Sequence, residues 1–115
     1  MIDTSVFRDT LALYEKHGWQ LARLLLTEEP SPELSSLAGS ASVHSSAFDA
    51  AWFTRSSQPG TTTWELRYLG PSPLALVSVV GEDADLEAEL EFQQERLVEM
   101  VSRKMPSEER KNGTS

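Results

Sequence analysis

Apolar positions at the start of the chain recur at intervals of four and three residues, which place side chains on one face of a helix. The run consists of Phe7, Leu11, Tyr14, Gly18, Leu21 and Leu25. With Asp3 available as an N-cap, the pattern predicts a single helix over residues 5–27. Gly18 also suits a helix C-terminus, so two helices broken at Gly18 are the alternative. Trp19 and Leu26 fall outside the main apolar arc and are expected to form a second contact surface.

The next segment, residues 28–46, has the composition of a loop. It contains two prolines, one glycine and seven serines, six of them between Ser35 and Ser46. Such a segment buries too little apolar surface to fix its backbone. We therefore expect a flexible linker within the domain, in which Leu34 and Leu37 form at most a short turn.

Residues 47–80 alternate between apolar and polar positions in the manner of β-strands. The alternation runs through Phe48, Ala50, Trp52 and Thr54, and then through Trp64, Leu66 and Tyr68. A third strand, 74–80, is apolar at every position except Ser78, which predicts that both of its faces are covered. In a simple meander this strand lies at an edge, where a long apolar strand invites pairing with another chain. Either the strand order differs, or the protein forms a homodimer through strand 74–80.

After Gly81 the pattern returns to the helical period, with Asp83 as the expected N-cap. One arc of this helix carries Leu86, Leu90, Leu97, Met100 and Val101. The predicted fold is a single α+β domain over residues 1–105, in the order α-β-β-β-α. Its three-stranded antiparallel sheet has two helices packed on one face, and residues 106–115 are expected to be a disordered tail.

Charge is concentrated on that last helix. Residues 82–99 hold eight acidic residues and one arginine, which accounts for most of the chain's net charge of −8. A glutamate stripe, defined as Glu87, Glu91, Glu95 and Glu99, recurs every four residues and so lies along one helix face. Each like-charged neighbour pair costs about 0.2–0.5 kcal/mol, so the stripe is either a solvated face or a surface for a basic partner. Phe92 lies away from the apolar arc, where it either serves an interface or packs against the first helix.

The overall composition narrows the classes of partner and compartment. A sequence pI near 4.7 argues against nucleic acid as a partner, because phosphate neutralisation needs clustered Lys and Arg. The aliphatic runs are too short for a membrane span, and the absence of cysteine is compatible with a reducing compartment. We therefore predict a cytoplasmic or nuclear protein that binds neither nucleic acid nor membrane.

The candidate chemistry is sparse. The two histidines, His17 and His44, have no second ligand at metal spacing, so no metal is predicted. The segment from His44 to Asp49 holds the residue types of a nucleophilic triad, but a serine-rich linker offers neither rigid positions nor an oxyanion site. No phosphate-binding glycine motif occurs. We predict no catalytic residue and no cofactor.

These observations favour a non-enzymatic protein-protein interaction module, an adaptor or a small subunit of a larger complex. It would bind a basic partner through Phe92 and the glutamate stripe, with Trp19 and Leu26 as a second surface, or pair through a sheet edge. The alternative is a self-associating chaperone or escort protein. A small hydrolase that uses the linker residues ranks last.

Overall fold

The computed structural model describes residues 3–56, 59–70 and 74–104. Eight elements follow one another along this part of the chain, three helices and five strands. They are α1 (Thr4–Lys16), β1 (Gln20–Leu26), α2 (Pro32–Ala38), β2 (Ser42–Ser45), β3 (Ala50–Ser56), β4 (Thr61–Tyr68), β5 (Ala75–Gly81) and α3 (Leu86–Lys104). The predicted disordered tail, residues 106–115, lies outside the described residues.

The five strands form one mixed sheet in the order β2-β1-β3-β4-β5. β1 and β2 are parallel and joined by α2, whereas every other neighbouring pair is antiparallel. The three strands predicted between residues 47 and 80 correspond to β3, β4 and β5. The fold remains α+β, but the prediction of a three-stranded antiparallel sheet with two helices is wrong, because residues 20–45 add two strands and a third helix.

The predicted helix over residues 5–27 is wrong after Lys16. Asp3 caps α1 as expected, since its side chain accepts from the backbone N–H of Ser5 at 3.0 Å. Gly18 then reverses the chain with φ of +88°, and Gln20–Leu26 forms β1 between β2 and β3. A central strand is buried on both faces, so its leucines form a continuous run that spacing alone does not distinguish from a helix.

A β-bulge in β1 also contributed to the helical appearance of this segment. Leu21 pairs with Phe53 and Arg23 pairs with Trp52, so Ala22 is an extra residue in the register. Leu21 packs in one core and Leu25 in the other, on opposite faces of the sheet. Their four-residue spacing therefore does not place them on a common face.

The segment predicted to be a flexible linker, residues 28–46, contains α2 and β2 instead. The Ser31 hydroxyl accepts from the backbone N–H of Leu34 at 3.1 Å and so caps α2, whose first residue is Pro32. Leu34 and Ala38 are buried against α1 and the sheet. Serines supply the cap and half of the short strand. Two buried apolar side chains are enough to dock about two turns of helix.

Helices cover both faces of the sheet, which corrects the prediction that they pack on one face. Alternate residues of a strand point to opposite faces, and Ala51 and Phe53 lie in one core while Ala50 and Trp52 lie in another. The first core contains α1 and α2, so we name that side the α1/α2 face. The second core contains Leu90 and Leu97 of α3, and we name that side the α3 face.

The acidic helix α3 is confirmed, with two contacts that fix its position. The carboxylate of Asp85, and not that of Asp83, accepts from the backbone N–H of Ala88 at 3.2 Å and caps the helix. The Trp52 indole donates to the Gln94 side chain at 2.9 Å, which ties α3 to the middle of β3. The leucines predicted to face the sheet, Leu90 and Leu97, are buried there.

Candidate functional site

β5 forms an edge of the sheet, with β4 on one side and, among the described residues, no strand on the other. Its seven residues, Ala75–Gly81, include none with a charge. An edge strand directs alternate backbone N–H and C=O groups away from the sheet, and natural edges are commonly protected by charged side chains or by being short. β5 has neither protection, and we call it the open edge.

The α1/α2 face of the open edge is exposed because the cover provided by α1 ends one strand earlier. Tyr14 of α1 stacks on Phe53, with ring centroids 3.9 Å apart, and its hydroxyl donates to the Glu65 carboxylate on β4. Burial, followed by this hydrogen bond, raises the pKa of Tyr14 to about 12. The same cross-strand row continues from Phe53 through Glu65 to Val77, which no helix of the described structure covers.

Val77 and Val79 are consequently 57% and 63% exposed, and they lie on the same face of β5. The prediction that strand 74–80 is covered on both faces is wrong for this reason. α1 and α2 are tied by short connections to β1 and β2, at the other side of the sheet. The two valines form a narrow apolar strip along the open edge.

The α3 face of the open edge is closed by a chain of polar contacts. The Ser78 hydroxyl donates to the Glu89 carboxylate at 2.6 Å, and the buried side chain of Gln93 donates to the same carboxylate at 3.0 Å. Arg96 in turn donates to Gln93 at 3.4 Å. The hydrogen bonds from Gln93 and Ser78 lower the pKa of Glu89. One flank of α3, carrying Glu89, Gln93 and Arg96, is thereby held beside β5.

Phe92 lies close to this flank and is 55% exposed. At 100° per residue it projects about 60° further from the sheet than Glu89, which contacts Ser78 of β5. The alternative that Phe92 packs against the first helix does not hold, because α1 occupies the opposite face of the sheet. The aromatic side chain predicted to serve an interface is therefore on the side of α3 nearest the open edge.

The glutamate stripe is partly neutralised by the chain's own arginines. Glu87 accepts two hydrogen bonds from Arg23 of β1, at 2.5 and 3.1 Å, and these contacts lower the pKa of Glu87. Glu99 lies 3.6 Å from the Arg103 guanidinium. Across the described ranges no cationic nitrogen lies within 4.0 Å of Glu91 or Glu95. Sequence spacing gave no sign of the Arg23 contact, since it joins residues 64 positions apart.

The second predicted surface, Trp19 and Leu26, is not assembled. Trp19 lies in the connection between α1 and β1, where it meets Tyr14 edge to face and carries the Arg55 guanidinium 4.6 Å from its ring centroid. Leu26 is only 4% exposed in the α1/α2 core. The two residues belong to a turn and a strand, so their helical spacing does not bring them to one surface.

A polar cleft of about 460 Å³ lies between β1, β2 and the first half of α3. It is lined by residues that include Arg23, His44, Glu87 and Glu91. The His44 ring lies 2.9 Å from the Ser42 hydroxyl, and the Asp49 carboxylate accepts from the backbone of Thr27, so the histidine and aspartate of the hypothetical triad contact other residues. In the described part of the chain, no three metal-ligating side chains form a cluster.

Comparison with known proteins adds no assignment, because no protein-family model, no curated protein and no solved structure matches this chain. Within the described residues, none of the helices is both long and apolar enough to cross a membrane.

Proposed function

We propose that this chain is a non-enzymatic protein-binding module that accepts a strand of a protein partner along its open edge, β5. The observation that carries the proposal is the uncharged strand Ala75–Gly81 with Val77 and Val79 exposed on it. A strand added to a sheet edge gains affinity from backbone hydrogen bonds and specificity from the alternating side chains. The two valines would supply the apolar contact on one face.

The other edge of the sheet supports the choice of β5 by contrast. β2 has four residues, Ser42–Ser45, and all of them are exposed. Short and polar edge strands are poor templates for pairing. The two edges therefore differ in length and in apolar character, and both differences favour β5 as the binding strand.

A second candidate is binding of a basic partner by the acidic face of α3. It is supported by Glu91 and Glu95, which have no ion pair within the described residues, and it is weakened by the arginines that already contact Glu87 and Glu99. The two modes respond differently to salt. Binding through exposed carboxylates weakens as ionic strength rises, because the Debye length falls from about 10 Å at 0.1 M to about 3 Å at 1 M, whereas binding through uncharged β5 stays nearly constant.

We place the interaction in the cytoplasm or the nucleus, since a chain without cysteine is compatible with a reducing compartment. The hypothesis that the chain is a small hydrolase ranks last among the candidate functions. It would require a turnover that is lost in a His44→Ala variant, and the hydrogen bonds of His44 and Asp49 to Ser42 and Thr27 give it no support.

The test is affinity purification with the wild-type chain beside two lysine variants. Val77→Lys places a charge on the open edge, and Val6→Lys places the same charge on α1, where the native valine is equally exposed at 58%. We expect Val77→Lys to lose a protein partner that the wild type and Val6→Lys both retain. Recovery of the same partners by all three baits would exclude the open edge as the binding site.

A further inference from the structure

We propose that the strand accepted by the open edge is β5 of a second copy of this chain, paired antiparallel about a two-fold axis. The inference rests on the proposed function and names its partner. Pairing two copies of β5 would join their sheets into one continuous ten-stranded sheet across the axis. Both copies would then lose their open edges in a single isologous contact.

β5 is complementary to itself in the antiparallel direction. It carries no charge, so no register places like charges opposite each other within the strand. Glu82 and Asp83 follow directly after its end. An antiparallel copy separates these acidic residues to opposite ends of the paired strands, whereas a parallel copy would bring them side by side.

The direction of α3 relative to β5 also fits an antiparallel pair. The Ser78–Glu89 hydrogen bond places these two residues at one level. Gln94 bonds Trp52, which lies in the same cross-strand row as Leu76. Moving forward along α3 thus corresponds to moving backward along β5, so α3 runs antiparallel to β5. A two-fold axis that pairs β5 with its copy also sets the two α3 helices antiparallel to each other.

The flank of α3 beside the edge carries charges that are complementary between two copies. Glu89 and Arg96 lie on this flank, separated by two helical turns, with Phe92 between them. If the axis passes level with Phe92 and Gln93, Glu89 of each copy comes level with Arg96 of the other. Opposite charges that meet in this way fix the register of an interface, and the exposed Phe92 side chains fall near its centre.

The positions of Glu89 and Arg96 along α3 define the register in which the two copies of β5 would pair. The midpoint of Glu89 and Arg96 projects about 5 Å along α3 from Glu89, at 1.5 Å rise per residue. That distance corresponds to about one and a half strand residues from Ser78. Of the two residues nearest to this level, Leu76 and Val77, we assign the axis to Val77 because its side chain is the exposed one. Val77 then faces Val77 of the second copy, and each Val79 faces Ala75 across the junction, so that the exposed valines form one apolar cluster.

Sedimentation of the purified chain over a micromolar dilution series tests the proposal. We expect the wild type to reach twice the 12.8 kDa chain mass, with Val6→Lys indistinguishable from it. Val77→Lys should raise the dimer dissociation constant at least about tenfold, because two lysines would face each other on the axis. A wild type that stays monomeric throughout overturns the second-copy proposal. Equal dimerisation of the wild type and Val77→Lys would show that the interface does not include β5, and this result also overturns the second-copy proposal.

A cysteine variant provides an independent measurement, since the native chain has no cysteine. Val77→Cys should form a covalent dimer rapidly on oxidation, because a residue on the axis meets its own copy, whereas Val6→Cys should not. Equal cross-linking of the two variants contradicts the axis. The two proposals can fail separately. If the wild type is monomeric in sedimentation but captures a partner that Val77→Lys loses, the second copy is rejected, and edge binding by another protein is supported.

Discussion

At the residue scale, the pair formed by Arg23 and Glu87 shows that residues with equivalent spacing in the sequence have different contacts in the fold. Within the sequence, Glu87 is one of four equivalent glutamates, and its partner is far away on β1. In the structure its carboxylate is held by Arg23 with hydrogen bonds of 2.5 and 3.1 Å, and the guanidinium also lies 5.8 Å from the Trp64 ring centroid. Glu91, four residues later, has no such contact in the described structure.

The contact with Arg23 predicts that Glu87 makes the stability of the chain sensitive to acid. The contacts with Arg23 lower the pKa of Glu87 from its ordinary value of 4.5. A lowered folded-state pKa contributes stability that is fully present above 4.5 and is lost as the pH falls through the folded value. Glu87→Gln should therefore lower the free energy of unfolding near pH 7 and lose less on acidification than the wild type does. Urea denaturation at several pH values measures both effects.

Glu91→Gln is the matched control for this comparison, because it removes the same charge from the same helix without breaking an ion pair of the described structure. It should leave stability near pH 7 unchanged or raise it slightly, since it relieves repulsion within the glutamate stripe. Parallel pH profiles for the two variants would contradict the assigned role of Arg23.

At the element scale, sequence reasoning succeeded where the apolar residues of an element follow a regular period, and it failed where a bulge or a short length hides that period. α1, β4 and α3 each have one apolar side, and their periods could be read directly. β1 is central, its leucines point both ways, and a bulge at Ala22 shifts their spacing to one that resembles a helix. α2 is short, and its stability comes from a serine cap and two buried side chains, which composition alone does not reveal.

Substitution of Gly18 is expected to change the free energy of unfolding in opposite directions for a continuous helix and for the observed turn. In a continuous helix, Gly18→Ala would raise stability by about 0.5–1 kcal/mol. At the observed φ of +88° an alanine is strained, and we expect a loss of about 1–2 kcal/mol. The added Cβ would lie 3.7 Å from the Arg55 side chain, an ordinary contact, so the loss comes from the backbone. Thermal and urea unfolding both measure this change in stability. A Gly18→Ala variant that is more stable than the wild type would support the single helix over residues 5–27.

The capping of α2 gives a second measurement at this scale. Ser31→Ala removes the hydroxyl that accepts from the Leu34 N–H and should cost about 1 kcal/mol of unfolding free energy. Ser36→Ala, in the exposed interior of the same helix, is the control and should be neutral or slightly stabilising, because alanine is the better helix former. If both substitutions have the same effect, residues 32–38 are not held as a capped helix.

At the scale of the whole molecule, the insertion of β1 and β2 determines where the candidate site lies. With three strands, the two predicted helices would cover one face of the sheet, including that face of strand 74–80. With five strands, α1 and α2 cover only the part of their sheet face that lies near β1. This cover ends at Glu65 of β4, so Val77 of β5 is left exposed. The uncharged edge strand could be anticipated from the sequence, but the exposure of its valines depends on strand order, which local patterns do not encode.

The most direct test of edge binding by a second copy is amide hydrogen exchange of the wild-type chain at low and high protein concentration. We predict that amides of Ala75–Gly81 gain protection as concentration rises, because their free N–H groups become bonded across the two-fold axis. Amides of the other edge, Ser42–Ser45, should exchange at the same rate at both concentrations. Exchange in β5 that does not depend on concentration would contradict the account.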